Sequence, residues 1–194
     1  MERLRQLNTG VIEVICGPMF SGKTEELIRR LRRAKIAKQR IVVFKPQIDT
    51  RFDEVQIVSH SAQKIASIPV EDTPAMKHCL DQLDAPADLV GIDEAQFFDH
   101  SLVEFVEGLA NSGIRVIMSG LDQDSKGQPF GPMPHLLAIA DIVTKQYAVC
   151  VLCGAAATKT YRLPEQTDAQ VFVGASESYE ARCRYCHQQD TSCL

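Results

Sequence analysis

The sequence predicts an α/β fold in which a parallel β-sheet is flanked by helices, followed by a small C-terminal domain. Short apolar runs rich in β-branched residues alternate with longer segments of helical periodicity, the order expected for parallel strands joined by crossover helices. After residue 149 this alternation stops, and short β segments lie between two cysteine pairs. We therefore predict two domains, residues 1–149 and residues 150–194.

The first strand, loop and helix of the chain carry a phosphate-binding motif. The apolar run 11–16 has the length and β-branched content of a buried strand, and acidic residues at 25 and 26 suit the first turn of a helix that opens at Thr24. The loop between them matches G-x-x-x-x-G-K-[ST], which cradles phosphates with backbone N–H groups at a helix N-terminus. We predict that ATP is bound by Gly17, Pro18, Met19, Phe20, Ser21, Gly22, Lys23 and Thr24. Lys23 would face the β- and γ-phosphates, and the Thr24 hydroxyl would ligate Mg²⁺.

The remaining elements of the first domain follow in order. Four more apolar runs have strand length, and two segments have helical spacing, the second with a glycine stop at Gly113. The predicted strands cover 41–45, 89–93, 114–119 and 142–149, and the predicted helices cover 74–84 and 101–113.

Two carboxylates leave the strand predicted at 89–93. Asp93 is the candidate for the magnesium shell, and neighbouring residues at a strand end point in different directions, so Glu94 can face a substrate. Glu94 would then act as a general base for an attacking hydroxyl. Two alternatives stay open: Glu94 caps or salt-bridges the next segment, or it activates water, because Asp-Glu-Ala-Gln fits a kinase and an ATPase motor alike.

The second domain is predicted to bind structural zinc. Two Cys-x-x-Cys pairs supply four thiolates, which suit a closed tetrahedral site, and His187 is an alternative to the last cysteine. The predicted ligands are Cys150, Cys153, Cys183 and Cys186. The chain between the pairs predicts a hairpin of 160–163 with 169–173, and a projecting loop at 174–182.

Composition narrows the classes of partner. The net charge of −4 argues against a nucleic-acid coat, since phosphate-backbone binding needs a broad basic surface. No apolar run approaches the roughly 20 residues that span a bilayer, and the N-terminus lacks a signal peptide. Seven cysteines without a secretory signal indicate a reducing compartment. We expect a cytoplasmic protein without nucleic-acid or membrane partners.

Taken together, these residues resemble the zinc-containing (type II) thymidine kinases of animals, bacteria and poxviruses. The resemblance runs from about residue 10 to residue 187, and its motifs keep the family's order. The matching segments are GPMFSGKT (17–24), IDTRF (48–52), Ser59-His60, GIDEAQFF (91–98), GLD…PFG (120–131), the first Cys-x-x-Cys and GASESYEARCRYC (174–186).

The resemblance implies a P-loop NTPase-like (RecA-like) sheet, a zinc ribbon with a lasso loop, and transfer of the γ-phosphate of ATP to the 5′-hydroxyl of thymidine, with deoxyuridine as a second expected acceptor. It makes Glu94 the base, places Asp49 and Arg51 in the phosphate-transfer region, and puts Gln96 with Asp93 at the cofactor. It gives the nucleoside site as Met19, Phe97, Phe130, Thr160, Val171, Phe172, Val173, Gly174 and Tyr179. A role in deoxynucleotide salvage, feedback inhibition by dTTP and a homotetramer are further expectations of the resemblance.

Two other functions remain in view. The first is a P-loop ATPase whose zinc ribbon binds nucleic acid or a protein partner, which predicts ATP hydrolysis stimulated by nucleic acid without nucleoside. The second is a non-catalytic nucleotide-binding scaffold, which has no need of Glu94 and predicts no turnover with any deoxynucleoside.

Overall fold

A computed structural model describes residues 10–47, 56–58, 64–163 and 178–189. The strands are β1 (Ile12–Cys16), β2 (Ile41–Pro46), β3 (Gln56–Val58), β4 (Lys64–Ala66), β5 (Ile68–Val70), β6 (Leu89–Ile92), β7 (Arg115–Gly120), β8 (Ile142–Lys145), β9 (Ala148–Val149), β10 (Ala156–Ala157), β11 (Lys159–Arg162) and β12 (Tyr179–Arg182). The helices are α1 (Lys23–Ile36), α2 (Thr73–Asp81), α3 (Ser101–Asn111), α4 (Met133–Ile139) and α5 (Arg184–Gln188).

Six strands form one sheet in the order β5-β2-β6-β7-β1-β8, and every pairing within it is parallel. The predicted α/β fold with a parallel sheet is therefore confirmed. The carboxyl ends of β6, β7 and β1 lie side by side, which brings the loops that follow them to one edge of the sheet.

The core lies on both faces of the sheet. Along β1, Val14 and Cys16 face the larger apolar cluster, which α2, α3 and α4 complete, while Ile15 faces a smaller cluster covered by α1. This alternation explains why the strand reads as a continuous apolar run, since both of its faces are buried. Helix α1 buries residues at helical spacing, Leu27 and Leu31 among them. It exposes Arg29, Arg32 and Arg33, whereas Arg30 faces the sheet and pairs with Glu13 of β1.

The structure corrects the last predicted strand of the first domain. The segment 142–149 is not one strand: β8 ends at Lys145 on the parallel sheet, and β9 begins at Ala148 as part of an antiparallel pair with β10. The sequence prediction also missed α4, β5 and the antiparallel pair of β3 with β4.

In the described part of the C-terminal region, two antiparallel pairs and the short helix α5 surround a cluster of Ala148, Cys150, Ala157, Ala181 and Cys186. β11 pairs with β12, so residues 179–182, which were predicted to belong to a projecting loop, instead form a strand. The predicted hairpin of 160–163 with 169–173 stays a prediction. The segment 169–173 lies outside the described residues. A domain boundary at residue 149 stays a prediction. Within the described ranges, no helix is long and apolar enough to cross a membrane.

Candidate functional site

The loop between β1 and α1 has the tight backbone that the motif predicts. Gly17 has a φ of 141°, and a Cβ there would lie 2.4 Å from the carbonyl oxygen of Gln146, so no larger residue fits without backbone movement. Ser21 Oγ and Lys23 Nζ both donate to the carbonyl oxygen of Pro18, at 2.8 Å and 2.7 Å. The side chain of Lys23 thus folds over the loop.

Oxygen ligands from two strand ends meet beside this loop. The hydroxyl of Thr24 donates to Asp93 Oδ2 over 3.4 Å, and the hydroxyl of Ser119 donates to Asp93 Oδ1. Asp93 is 6% exposed, so these contacts hold its carboxylate in place. A hydroxyl and a carboxylate are hard oxygen donors of the kind that Mg²⁺ prefers, and the pair fits a magnesium site. Thr24 and Asp93 were predicted from the sequence as residues of the magnesium site, and Ser119 was not.

Glu94 leaves the same strand end in a different direction from Asp93. Its backbone is left-handed, with φ 51° and ψ 43°, and its carboxylate Oε2 accepts from Gln96 Nε2 at 2.5 Å. Among the described residues, its side chain makes no capping hydrogen bond to the short 3-10 turn Ala95–Phe97 that follows. The two carboxylates therefore have different hydrogen-bond partners, and the role of Glu94 stays a prediction.

Aromatic and polar side chains predicted for a nucleoside site make three local contacts. The rings of Phe97 and Phe130 pack edge to face with centroids 5.8 Å apart. The Thr160 hydroxyl accepts the backbone N–H of Met19 at 3.0 Å, which joins β11 to the phosphate-binding loop. The phenol of Tyr179 lies beside Arg162 in the neighbouring strand, at 3.4 Å.

The four predicted metal ligands converge. The sulfur atoms of Cys150, Cys153, Cys183 and Cys186 all lie within 4.8 Å of one another. Zn–S bonds of about 2.3 Å place tetrahedral ligands about 3.8 Å apart, and the Cys153 and Cys183 sulfurs are separated by 3.7 Å. Burial raises the pKa of the Cys150 thiol, but hydrogen bonds from backbone N–H groups lower it further, to about 6. The geometry of the four sulfur atoms fits a zinc site.

His187 has a different role from the one considered in the sequence. Its Nε2 donates to the carbonyl oxygen of Ser125 at 3.0 Å, and its ring packs edge to face on Tyr161. A second contact between the same regions joins Lys159 Nζ to Gln123 Oε1 at 2.6 Å. The small region is thus attached to the segment after β7. Sequence reasoning missed these contacts, which join residues far apart in the chain.

A family model described as thymidine kinase matches residues 10–187. The chain belongs to the thymidine kinase family. A curated thymidine kinase from Porphyromonas gingivalis is 53% identical over 186 residues, which cover 96% of this chain and 89% of the relative. Another, from Bacteroides thetaiotaomicron, is 53% identical over 178 residues, covering 92% of this chain and 87% of the relative.

Not every residue that resemblance to the thymidine kinases assigned to the site can be placed. Asp49, Arg51 and the lasso residues Val171, Phe172, Val173 and Gly174 lie outside the described residues. Ser119 could have been found by a general rule, since a polar residue near the end of a buried parallel strand faces the same edge as the other strand ends.

Proposed function

We propose that this thymidine kinase family member transfers the γ-phosphate of ATP to the 5′-hydroxyl of thymidine, giving dTMP and ADP for deoxynucleotide salvage. The family match supports the reaction, and the observation that carries its location is the contact between Thr24 and Asp93. This contact brings the phosphate-binding loop next to Asp93 at the end of β6, and Glu94 is the next residue in the chain. A polyphosphate and an alcohol can therefore meet at one edge of the sheet.

The loop residues would hold the triphosphate. Lys23 Nζ, which donates to Pro18 in this structure, would exchange that carbonyl for phosphate oxygens. Thr24 and Asp93 would hold magnesium, with the hydroxyl of Ser119 fixing the orientation of the carboxylate. A bound magnesium ion would neutralise the charge that develops on the phosphate oxygens.

Glu94 would accept the proton of the sugar hydroxyl. The hydroxyl oxygen forms a bond to the γ-phosphorus while the bond from that phosphorus to the β,γ-bridging oxygen breaks, and ADP leaves. Phosphoryl transfer of this kind depends mainly on positioning and charge neutralisation, so the base needs a defined place more than unusual strength. Its left-handed backbone at the strand end gives it such a place.

The remaining assignments are proposals of the same kind. Met19, Phe97, Phe130, Thr160 and Tyr179 would surround the nucleoside, together with the lasso residues 171–174, and Asp49 and Arg51 would line the phosphate-transfer region. The four cysteines would hold structural zinc, because they leave no open ligand position. Feedback inhibition by dTTP, a homotetramer and a cytoplasmic location stay predictions.

The decisive variant is Glu94→Gln, which keeps the shape of the side chain and removes the base. We expect kcat to fall by about two to four orders of magnitude, with a modest change in KM. Glu104→Gln, on the exposed face of α3, is the matched control and should keep the activity of the parent. Near-normal kcat in the Glu94 variant would reject the base assignment.

The substrates are tested by ADP release across the four deoxynucleosides, with and without nucleic acid. We expect ADP to form with thymidine and to need no nucleic acid. ADP release that needs nucleic acid and no nucleoside would instead identify an ATPase with a zinc ribbon, and absence of turnover with any deoxynucleoside would identify a scaffold.

A further inference from the structure

The side chain of Gln96 is held at both ends of its amide. Its Nε2 donates to Glu94 Oε2 at 2.5 Å, and its Oε1 accepts the backbone N–H of Leu121 at 2.9 Å. The residue is 2% exposed. The resemblance placed Gln96 at the cofactor, but burial leaves its amide little access to a ligand.

The two bonds also determine which way the amide points. A backbone N–H can only donate, so the atom that faces Leu121 must be the amide oxygen. The NH₂ group is then left to face Glu94, where an ionised carboxylate can only accept. The reverse orientation would oppose donor to donor and acceptor to acceptor.

Neighbouring glycines confine Gln96 further. A Cβ at Gly120 would lie 2.8 Å from Gln96 Oε1, and a Cβ at Gly131 would lie 2.3 Å from the Gln96 carbonyl oxygen. Gly131 also has a φ of 50°, which favours glycine. The end of β7 and the residues before α4 therefore pack closely against Gln96, and the residue has little freedom to move.

From this arrangement we propose that Gln96 is a positioning residue that holds the Glu94 carboxylate toward the sugar hydroxyl, and not a ligand of ATP. The inference rests on the proposed role of Glu94 as base. The Glu94 side chain is half-buried and has several rotatable bonds, so a carboxylate without a partner would sample many directions. The amide binds Oε2 of the carboxylate and fixes its direction, which lowers the entropy lost in reaching the reactive geometry.

The test is a double-mutant cycle of Gln96→Leu and Glu94→Gln, read out in kcat and in the KM for ATP. Gln96→Leu alone should lower kcat by about 10- to 100-fold, the span expected when a catalytic group is misplaced by about 1 Å. The KM for ATP should change less than about twofold, because no ATP contact is lost. In the Glu94→Gln background, Gln96→Leu should lower kcat by less than about twofold, since its effect passes through the carboxylate.

A second variant protects the test against misfolding. Gln96→Glu keeps the shape and the acceptor for Leu121 but replaces the donor that faces Glu94, so it should lower kcat in the same way. Gln82→Leu, at the exposed end of α2, is the matched control and should behave as the parent enzyme.

Each outcome has a distinct meaning. A raised KM for ATP with normal kcat, or a full additional loss of kcat in the Glu94→Gln background, would overturn the positioning role and leave the base assignment standing. Near-normal kcat for Glu94→Gln alone would remove the base assignment and the inference with it.

Discussion

Lys159→Met should separate the attachment of the zinc-binding region from the zinc site itself. Lys159 is 9% exposed, and its ammonium donates to Gln123 Oε1 at 2.6 Å. The next residue, Thr160, accepts the backbone N–H of Met19 in the phosphate-binding loop. Because successive residues of a strand face opposite sides, β11 contacts the segment after β7 through one residue and the loop through the next.

The size of the effect follows from these contacts. A hydrogen bond from a charged donor contributes about 1.5–3 kcal/mol to stability. Burial, followed by repulsion from Arg184, lowers the pKa of Lys159, so desolvation of its ammonium offsets part of what the bond contributes, and we take the lower end of that range. Methionine retains the packing of the methylene groups. We therefore expect a loss of about 1.5 kcal/mol, equivalent to roughly tenfold in an equilibrium.

The assay is steady-state kinetics with each substrate, together with urea unfolding. The KM for thymidine should rise roughly tenfold because Thr160 and Met19 lose their alignment, while kcat and zinc content stay near those of the parent. Lys77→Met, on the exposed face of α2, is the control. Adding Gln123→Leu to Lys159→Met should change stability and the KM for thymidine little further, since both substitutions break the same hydrogen bond. A variant that is less stable but has an unchanged KM for thymidine would refute the coupling.

Three further perturbations have defined outcomes. Cys150→Ser should lower bound zinc and weaken thymidine binding before ATP binding, measured by metal analysis and calorimetry, with Cys79→Ser as control. Glu26→Gln tests the pH dependence of folding stability. A hydrogen bond from Arg29, partly opposed by burial, lowers the pKa of Glu26 from 4.5 to about 2. The ionised carboxylate therefore stabilises the folded protein above about pH 4.5, and this contribution is lost as the pH falls toward 2. Urea titrations should show a weaker acid dependence in the glutamine variant. Gly131→Ala should lower Tm in calorimetry, because it places a Cβ 2.3 Å from a carbonyl oxygen.

The sequence predicts those parts of the site whose residues lie close together in the chain. The loop 17–24 lies between a buried strand and a helix, and both flanking elements have strong local patterns. Asp93 and Glu94 follow a four-residue apolar strand, and the rule that parallel strands end at one edge is enough to bring them to the loop. The cysteine pairs were equally clear, since their spacing alone indicates a metal site.

The missed features depend on contacts between distant residues or on very short elements. The bond between Met19 and Thr160 joins residues 141 positions apart, and no local pattern indicates it. β5 has three residues and contains Pro69, which a sheet tolerates at its edge, where β5 lies. α4 has seven residues with a proline in its first turn, too few for a helical period to be recognised.

The pairing of β11 with β12 was missed for a related reason. A hairpin between neighbouring segments is the simplest arrangement of two β-prone stretches. β12, which pairs with β11 in the structure, is separated from it by 16 residues, as the bounds Arg162 and Tyr179 show. The second cysteine pair follows β12 directly, so closure of the metal site favours this more distant partner.

The passage from β8 to β9 has a consequence for how the two parts of the chain can be recombined. Only Gln146 and Tyr147 separate the last strand of the parallel sheet from the first strand of the cysteine-bearing region. The backbone N–H of Gln146 donates to the carbonyl oxygen of Cys16 at 2.7 Å. The carbonyl oxygen of Gln146 lies so close to position 17 that only a glycine fits there. The two parts are therefore not interchangeable modules: a foreign replacement for the small region would have to reproduce the backbone against which the first loop of the chain rests.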